Sequence, residues 1–282
     1  MKLIRTGAEW NPLWLNHLQN NQQIGFVPTM GALHEGHLDL VKKSTSQAAI
    51  TVVSIFVNPT QFNNPEDFAK YPITLEVDLK KLKLAGADYV FVPSVDTMYP
   101  APTDLRLDFG ALEQVLEGRF RPGHFNGVGI VVSKLFHLIR PHIAFFGQKD
   151  LQQVAVIKRL VQDLSFDLNL EIVPTRREAD GLAMSSRNTR LNAIERTQAL
   201  ILFRSLENAK NELLSGKNWT EIRSKIEADF SEIPQAKLEY FEWVHPETFE
   251  TVSEIVPGEK SSVCVAAFIG DIRLIDNMPI IR

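Results

Sequence analysis

A single cysteine, Cys264, occurs in the 282 residues, so no internal disulfide can form and a cysteine-type zinc site is excluded by count. A reducing compartment fits that count. Cys264 lies in the apolar run 263–268 and reads as a small buried hydrophobe. Basic residues are not in excess: 30 Lys and Arg stand against 34 Asp and Glu, a formal charge of −4. A general nucleic-acid binder would usually be basic. The longest apolar stretches are about ten residues and carry Ser or Thr, too short to span a bilayer. Residues 1–7 lack an apolar h-region, so a secretory signal is not expected. Internal repeats and low-complexity segments are missing as well. These absences leave a soluble cytoplasmic protein, with neither nucleic acid nor membrane as partner.

What is present is a chain long enough for two domains and for a core that needs no staples. The first part alternates strand-like and helix-like segments. Residues 24–27 form a short apolar run stopped by Pro28, and residues 51–57 (TVVSIFV) a buried strand stopped by Asn58 and Pro59. Further strands are expected at 88–92, 143–146 and 170–173, with helices at 36–48, 75–85, 128–139 and 151–164. Fully apolar strands alternating with helices predict a Rossmann-like, doubly wound parallel sheet covered on both faces. Ligands of such sheets bind at the carboxyl ends of the strands, where this chain places its Gly, Pro and polar residues. The stretch 93–126 is long and rich in Gly and Pro, as lids and binding loops often are. Near residue 176 the character changes. Helices at 193–214 and 219–230, then strands at 238–244, 262–268 and 272–275, predict a smaller α+β domain. The expected division is 1–175 and 176–282.

The sharpest signal is the segment 28–37, PTMGALHEGH, which follows a strand and opens a helix. Amides at a helix start and the positive end of its dipole favour phosphate. Gly31 and Gly36 allow close backbone approach. His34 and His37 are three residues apart and share a face if the turn is helical. Two imidazoles there can donate to a phosphate whose charge grows in the transition state. Capping and packing of the helix, or a zinc pair, are the other readings of these histidines, although the spacing is not HExxH.

His34-Glu35-Gly36-His37 resembles the HIGH signature of the nucleotidylyl-transfer superfamily, and Met184-Ser185-Ser186-Arg187-Asn188 its later phosphate-embracing loop. The absence of a P-loop agrees with a superfamily that binds ATP without one. The likeness is closer still to the pantothenate synthetase family. It rests on PTMGALHEGH, FVNPTQF at 56–62, EGRFRPGHF at 117–125, FGQKD at 146–150, DGLAMSSRN at 180–188 and LIDN at 274–277. Together these run from about residue 24 to 277.

The resemblance implies ATP as co-substrate with Mg²⁺, (R)-pantoate and β-alanine as substrates, and a homodimer. It implies that Met30, Gly31, Ala32, Leu33, His34, Glu35, Gly36 and His37 line the nucleotide. Gly147, Gln148, Lys149 and Asp150 contact ATP, with Lys149 near the phosphates and Asp150 near the ribose. Arg176 touches adenine through its backbone. Met184, Ser185, Ser186 and Arg187 close over the phosphates. Gln61, Gln153 and Asn58 serve pantoate, and Arg121 and His124 form part of a gate. His34, His37 and Lys149 are the expected electrostatic catalysts. The second domain, hinged near residue 176, is expected to close and keep water from the adenylate. Where the family usually has Arg, this chain has Ile73, from which altered loop or dimer contacts are expected. Two other functions fit part of the pattern: a different HIGH-type adenylyltransferase, or a non-catalytic ATP-binding sensor.

Overall fold

A computed structural model describes residues 1–281. The chain forms two compact units. One comprises Met1–Gln148 with Val156–Pro174, the other Lys149–Ala155 with the chain from Thr175 onward.

The first unit is built on six parallel strands: β1 (Lys2–Ile4), β2 (Ile24–Thr29), β3 (Ile50–Ile55), β4 (Tyr89–Phe91), β5 (Ile143–Gly147) and β6 (Asn169–Val173). Their order is β1-β4-β3-β2-β5-β6. Every residue of β3 is buried, as a strand covered on both faces must be. Helix Glu35–Gln47 packs on β2, β3 and β5, and helix His124–Ile139 on β2. Helix Gly7–Gln19 lies against His124–Ile139, where Trp10 Nε1 donates to the Ile139 carbonyl at 2.9 Å.

β2 does not stop at Pro28 but continues to Thr29, with Pro28 in register with Ser54 of β3. A proline is tolerated there because β2 pairs with β5 only through Gly25 and Phe26. That early parting of β2 and β5 also opens the sheet at its switch point, where such folds hold their ligands. The stretch 93–126 is less irregular than its composition suggests. It contains the short helices Val95–Met98 and Leu116–Phe120 and a 3₁₀ turn at Gly110–Glu113. It borders a cavity of about 740 Å³ whose wall includes Pro59, Thr60 and Tyr99.

The second unit carries an antiparallel sheet of β7 (Ala236–Val244), β8 (Ser261–Ile269) and β9 (Ile272–Ile280), with β8 central. Helices Leu200–Leu214 and Trp219–Ser231 cover it, and their apolar faces meet Phe241, Trp243, Val263 and Val265 in one core. Cys264 is buried in β8. β9 runs five residues beyond its expected end at 275 because Asp276 and Asn277, which break the apolar run, are themselves buried and hydrogen-bonded. Among the described residues no helix is long and apolar enough to cross a membrane.

Candidate active site

The predicted site residues divide between the units. Met30, Gly31, Ala32, Leu33, His34, Glu35, Gly36, His37, Asn58, Gln61, Gly147 and Gln148 belong to the first; Lys149, Asp150, Gln153, Arg176, Met184, Ser185, Ser186 and Arg187 belong to the second.

In the first unit the chain leaves β2 through a sharp turn. Gly31 has φ +81° and Ala32 φ +49°. A left-handed residue with a Cβ costs roughly 1–2 kcal/mol, so something must hold Ala32 there. That group is Asp78, which is buried in the first turn of helix Leu75–Leu84. Its Oδ2 accepts from Ala32 N and its Oδ1 from Leu33 N, both at 2.9 Å. Thr74 Oγ1 donates to Oδ2 at 3.0 Å, and Lys81 Nζ donates to the Leu33 carbonyl. The amides of Ala32 and Leu33 are therefore committed to the protein, and the Leu33 side chain is in the core. The donors this loop offers a phosphate are the helix start and the two imidazoles. Sequence reasoning missed Asp78, because an acid in the first turn of an amphipathic helix reads as a surface residue.

His34 precedes helix Glu35–Gln47 and His37 lies in its first turn. The rings face each other at 4.0 Å between centroids, tilted by 35°. His34 N donates to His37 Nδ1 at 3.3 Å, which places the proton of a neutral His37 on Nε2. His37 is thus set as a donor through Nε2. Three or more clustered potential metal ligands do not occur among the described residues, which leaves the zinc reading of the histidines without further ligands.

The Asn58–Gln61 turn follows β3. Asn58 is 1% exposed, and its amide is bonded on all sides. Oδ1 accepts from Tyr99 Oη at 2.8 Å and Thr60 Oγ1 at 3.0 Å, while Nδ2 donates to Gln61 Oε1 at 3.1 Å and the Gly127 carbonyl at 3.2 Å. Asn58 was expected to meet substrate; the structure makes it a support. Because its Nδ2 occupies Gln61 Oε1, Gln61 turns Nε2 outward as a donor, 3.1 Å from Met30 Sδ. The Gln61 carbonyl accepts from His124 Nδ1 at 2.8 Å, and His124 Nε2 lies 3.0 Å from Arg121 Nη1. His124 is 5% exposed and bonded through both nitrogens. It braces the Gln61 turn, where a gate had been expected.

Helix His124–Ile139 approaches that turn so closely that a Cβ on Gly127 would lie 2.4 Å from the Thr60 carbonyl oxygen and 2.9 Å from Gln61 Cα. Gly127→Ala is expected to cost roughly 1–3 kcal/mol of stability through overpacking. It should also raise the KM for the ligand of Gln61 severalfold; thermal unfolding and steady-state kinetics measure the two effects. Tyr99 is a second determinant that the sequence did not reveal. Burial pushes its phenol pKa up, the Thr60 hydrogen bond pulling the other way. The protonated hydroxyl stays available to Asn58. Tyr99→Phe removes that one donor, and a net hydrogen bond is worth about 0.5–1.5 kcal/mol. The expected result is a KM for the Gln61 ligand about 2–10-fold higher, with kcat and the KM for ATP nearly unchanged.

β5 ends in Gly147, where a Cβ would meet nothing within 4 Å and no left-handed φ demands glycine. Open space over a glycine at a strand end suits the close approach of a ligand.

In the second unit Lys149 Nζ lies 3.5 Å from Asp150 Oδ1, and Gln153 is half-buried in the first turn of helix Leu151–Asp163. Arg176 and Met184 flank a hairpin closed by Met184 N to Arg176 O at 2.9 Å and Glu178 N to Leu182 O at 2.8 Å. The Arg176 carbonyl is used in that closure, while its side chain is exposed. Gly181 turns the hairpin with φ +95° over Phe203. Beyond it Ser185 Oγ accepts from Arg187 N at 3.2 Å, and Asn188 Nδ2 fixes the loop to Glu178 Oε1 at 2.9 Å. Two hydroxyls and a guanidinium are thereby carried on one short turn, a donor set matched to phosphate oxygens.

A model of the pantoate–β-alanine ligase family matches residues 2–279. Pantothenate synthetase of Koribacter versatilis is 48% identical over 281 residues, covering 99% of this chain and 95% of that protein. The enzyme of Cytophaga hutchinsonii is 46% identical over 264 residues, 93% of each. Among solved structures, pantothenate synthetase from Thermus thermophilus superimposes with a TM-score of 0.93 at 40% identity over all of both chains. Pantoate–β-alanine ligase from Francisella tularensis, solved with "Beta-gamma ATP and Beta-alanine", gives 0.81 at 36% identity over 99% of this chain and 97% of that one. The chain belongs to the pantoate–β-alanine ligase family.

Proposed function

We propose that this protein condenses (R)-pantoate with β-alanine at the expense of ATP, through a pantoyl adenylate. The observation that carries the reading is the family match across nearly the whole chain, together with the paired imidazoles at the end of β2. In the first step a pantoate carboxylate oxygen attacks the α-phosphorus of ATP, the bond to the bridging oxygen breaks, and diphosphate leaves. In the second the amine of β-alanine attacks the acyl carbon, AMP leaves, and the amine proton is released. A free carboxylate is a poor acyl donor at neutral pH; adenylation supplies the leaving group.

The chain needs no covalent intermediate of its own. Positioning and charge stabilisation are sufficient. His37 Nε2–H, His34 and the Lys149 ammonium act on phosphate charge, while Ser185, Ser186 and Arg187 hold phosphate oxygens. Met30, Gly31, Glu35, Gly36, Gly147, Gln148, Asp150, Arg176 and Met184 complete the nucleotide-binding set, while Ala32 and Leu33, bonded to Asp78, shape the turn that presents it. Gln61 and Gln153 hold pantoate, and Asn58 sets the Gln61 amide. Mg²⁺ would be carried mainly on the nucleotide phosphates and water, since apart from Glu35 and Asp150 this set offers cations, hydroxyls and amides. Bound there, it would neutralise phosphate charge. A homodimer in the cytoplasm completes the reading.

The test is ATP–diphosphate exchange with and without (R)-pantoate, followed by AMP release on adding β-alanine. Pantoate-dependent exchange and β-alanine-dependent AMP are expected. Exchange with neither substrate, in folded protein, would return the reading to another adenylyltransferase or to a sensor.

A further inference from the structure

In the second unit a buried carboxylate links the two segments assigned to the ATP phosphates. Asp276 of β9 is 3% exposed. Its oxygens accept from Arg177 Nη1 at 2.6 Å and Nη2 at 3.0 Å. Nη1 also donates to the Gly181 carbonyl at 3.0 Å, and Nη2 to the Asn277 carbonyl at 3.1 Å. The guanidinium carbon lies 5.0 Å from the centre of the Phe203 ring. Arg177 therefore fastens to β9 the hairpin that delivers Met184, Ser185, Ser186 and Arg187. From the next residue of the strand, Asn277 Nδ2 donates to the Lys149 carbonyl at 2.9 Å, while Asn277 N donates to Asp276 Oδ1 at 2.8 Å.

Stability alone does not account for this arrangement, because a buried ion pair is often no better than an apolar replacement. Its geometry does specify position: a planar fork, both carboxylate oxygens and one amide fix two chain segments, the hairpin and the Lys149 turn, relative to a single strand. Burial pushes the Asp276 carboxyl above its ordinary range, and Arg177, the Asn277 amide and the Lys149 charge pull it back.

We infer that Arg177, Asp276 and Asn277 are positioning residues for adenylate formation, Asn277 placing Lys149 and Arg177 placing the hairpin that carries Ser185, Ser186 and Arg187. The inference rests on the reading that those residues handle phosphate. None of the three positioning residues needs to touch substrate.

A double-mutant cycle of Asn277→Ala and Lys149→Ala, read by pantoate-dependent ATP–diphosphate exchange, tests it. Asn277→Ala is expected to lower kcat about tenfold, the scale of a sub-ångström misplacement, with the KM for pantoate within about twofold. In a Lys149→Ala background it should cause no further loss, because the group it places is gone. Multiplying losses would mark a general structural effect and overturn the inference. So would normal exchange by Asn277→Ala beside a crippled Lys149→Ala. Full exchange by Lys149→Ala would instead overturn the phosphate reading underneath. Asn277→Ser, too short to reach the Lys149 carbonyl, replaces the alanine variant if that fails to fold. Arg177→Lys keeps the charge and loses the fork; a kcat lower by a similar factor is expected, and a normal kcat overturns the hairpin half.

Discussion

Replacing His37 by alanine is expected to slow adenylate formation about 10²–10³-fold, the usual consequence of removing one donor aimed at developing charge. Folding should hardly change. His37 is half-buried in the first turn of helix Glu35–Gln47, and alanine is the best helix former. The bond that its Nδ1 accepts from His34 N is a long one, at 3.3 Å. The transition state loses a donor whose tautomer that bond had fixed. Single-turnover formation of diphosphate measures the step, and thermal unfolding checks the fold. A folded His37→Ala that keeps more than about a third of the rate would remove His37 from the charge-stabilising set. The same variant supplied with synthetic pantoyl adenylate should form the amide at nearly the normal rate, since no diphosphate leaves in that half-reaction.

The strand ends that carry His37, Asn58 and Gly147 were legible because each apolar run stops at Pro, Gly or Asn, and a parallel sheet sends all such ends to one edge. The start of the chain was not legible. β1 has only three residues, and helix Gly7–Gln19 has Pro12 inside it, which blurs the helical pattern. Tyr99 was hidden for a different reason. It sits in the stretch 93–126, which has no periodicity, and its partner Asn58 lies 41 residues earlier. The extension of β9 through Asp276 and Asn277 was obscured because a buried polar pair looks, in sequence, like the end of a strand. Periodicity reports where apolar surface goes. It does not report which polar groups are bonded across the chain, and those bonds hold Ala32, Gln61 and Lys149 in place.

Asp78→Ala should disturb both stability and chemistry, although Asp78 is assigned no contact with substrate. The carboxylate is 1% exposed and sits at a helix start, where the dipole favours its charge. Its loss leaves the Ala32 and Leu33 amides without the acceptors they have at 2.9 Å, and Thr74 Oγ1 without the one it has at 3.0 Å. Hydrogen bonds to a charged group contribute about 1.5–3 kcal/mol each, so a loss of roughly 3–5 kcal/mol is expected after partial relaxation. The chemical effect follows from Ala32. Its left-handed φ of +49° is held by that carboxylate and relaxes without it. Relaxation moves the chain two residues before His34, and with it the facing imidazole pair. A shift of about 1 Å in such a constellation costs about 100-fold in rate. Asp78→Asn separates the two effects. Its shape is preserved and one oxygen still accepts, but its NH₂ group confronts a donor in place of the second oxygen. The asparagine variant should therefore unfold at a temperature between the wild type and Asp78→Ala while losing nearly as much adenylation as the alanine variant. If instead Asp78→Asn adenylates normally despite a lowered unfolding temperature, Asp78 supports the fold without setting the histidines. The placement of His34 and His37 would then have to come from helix Glu35–Gln47 alone.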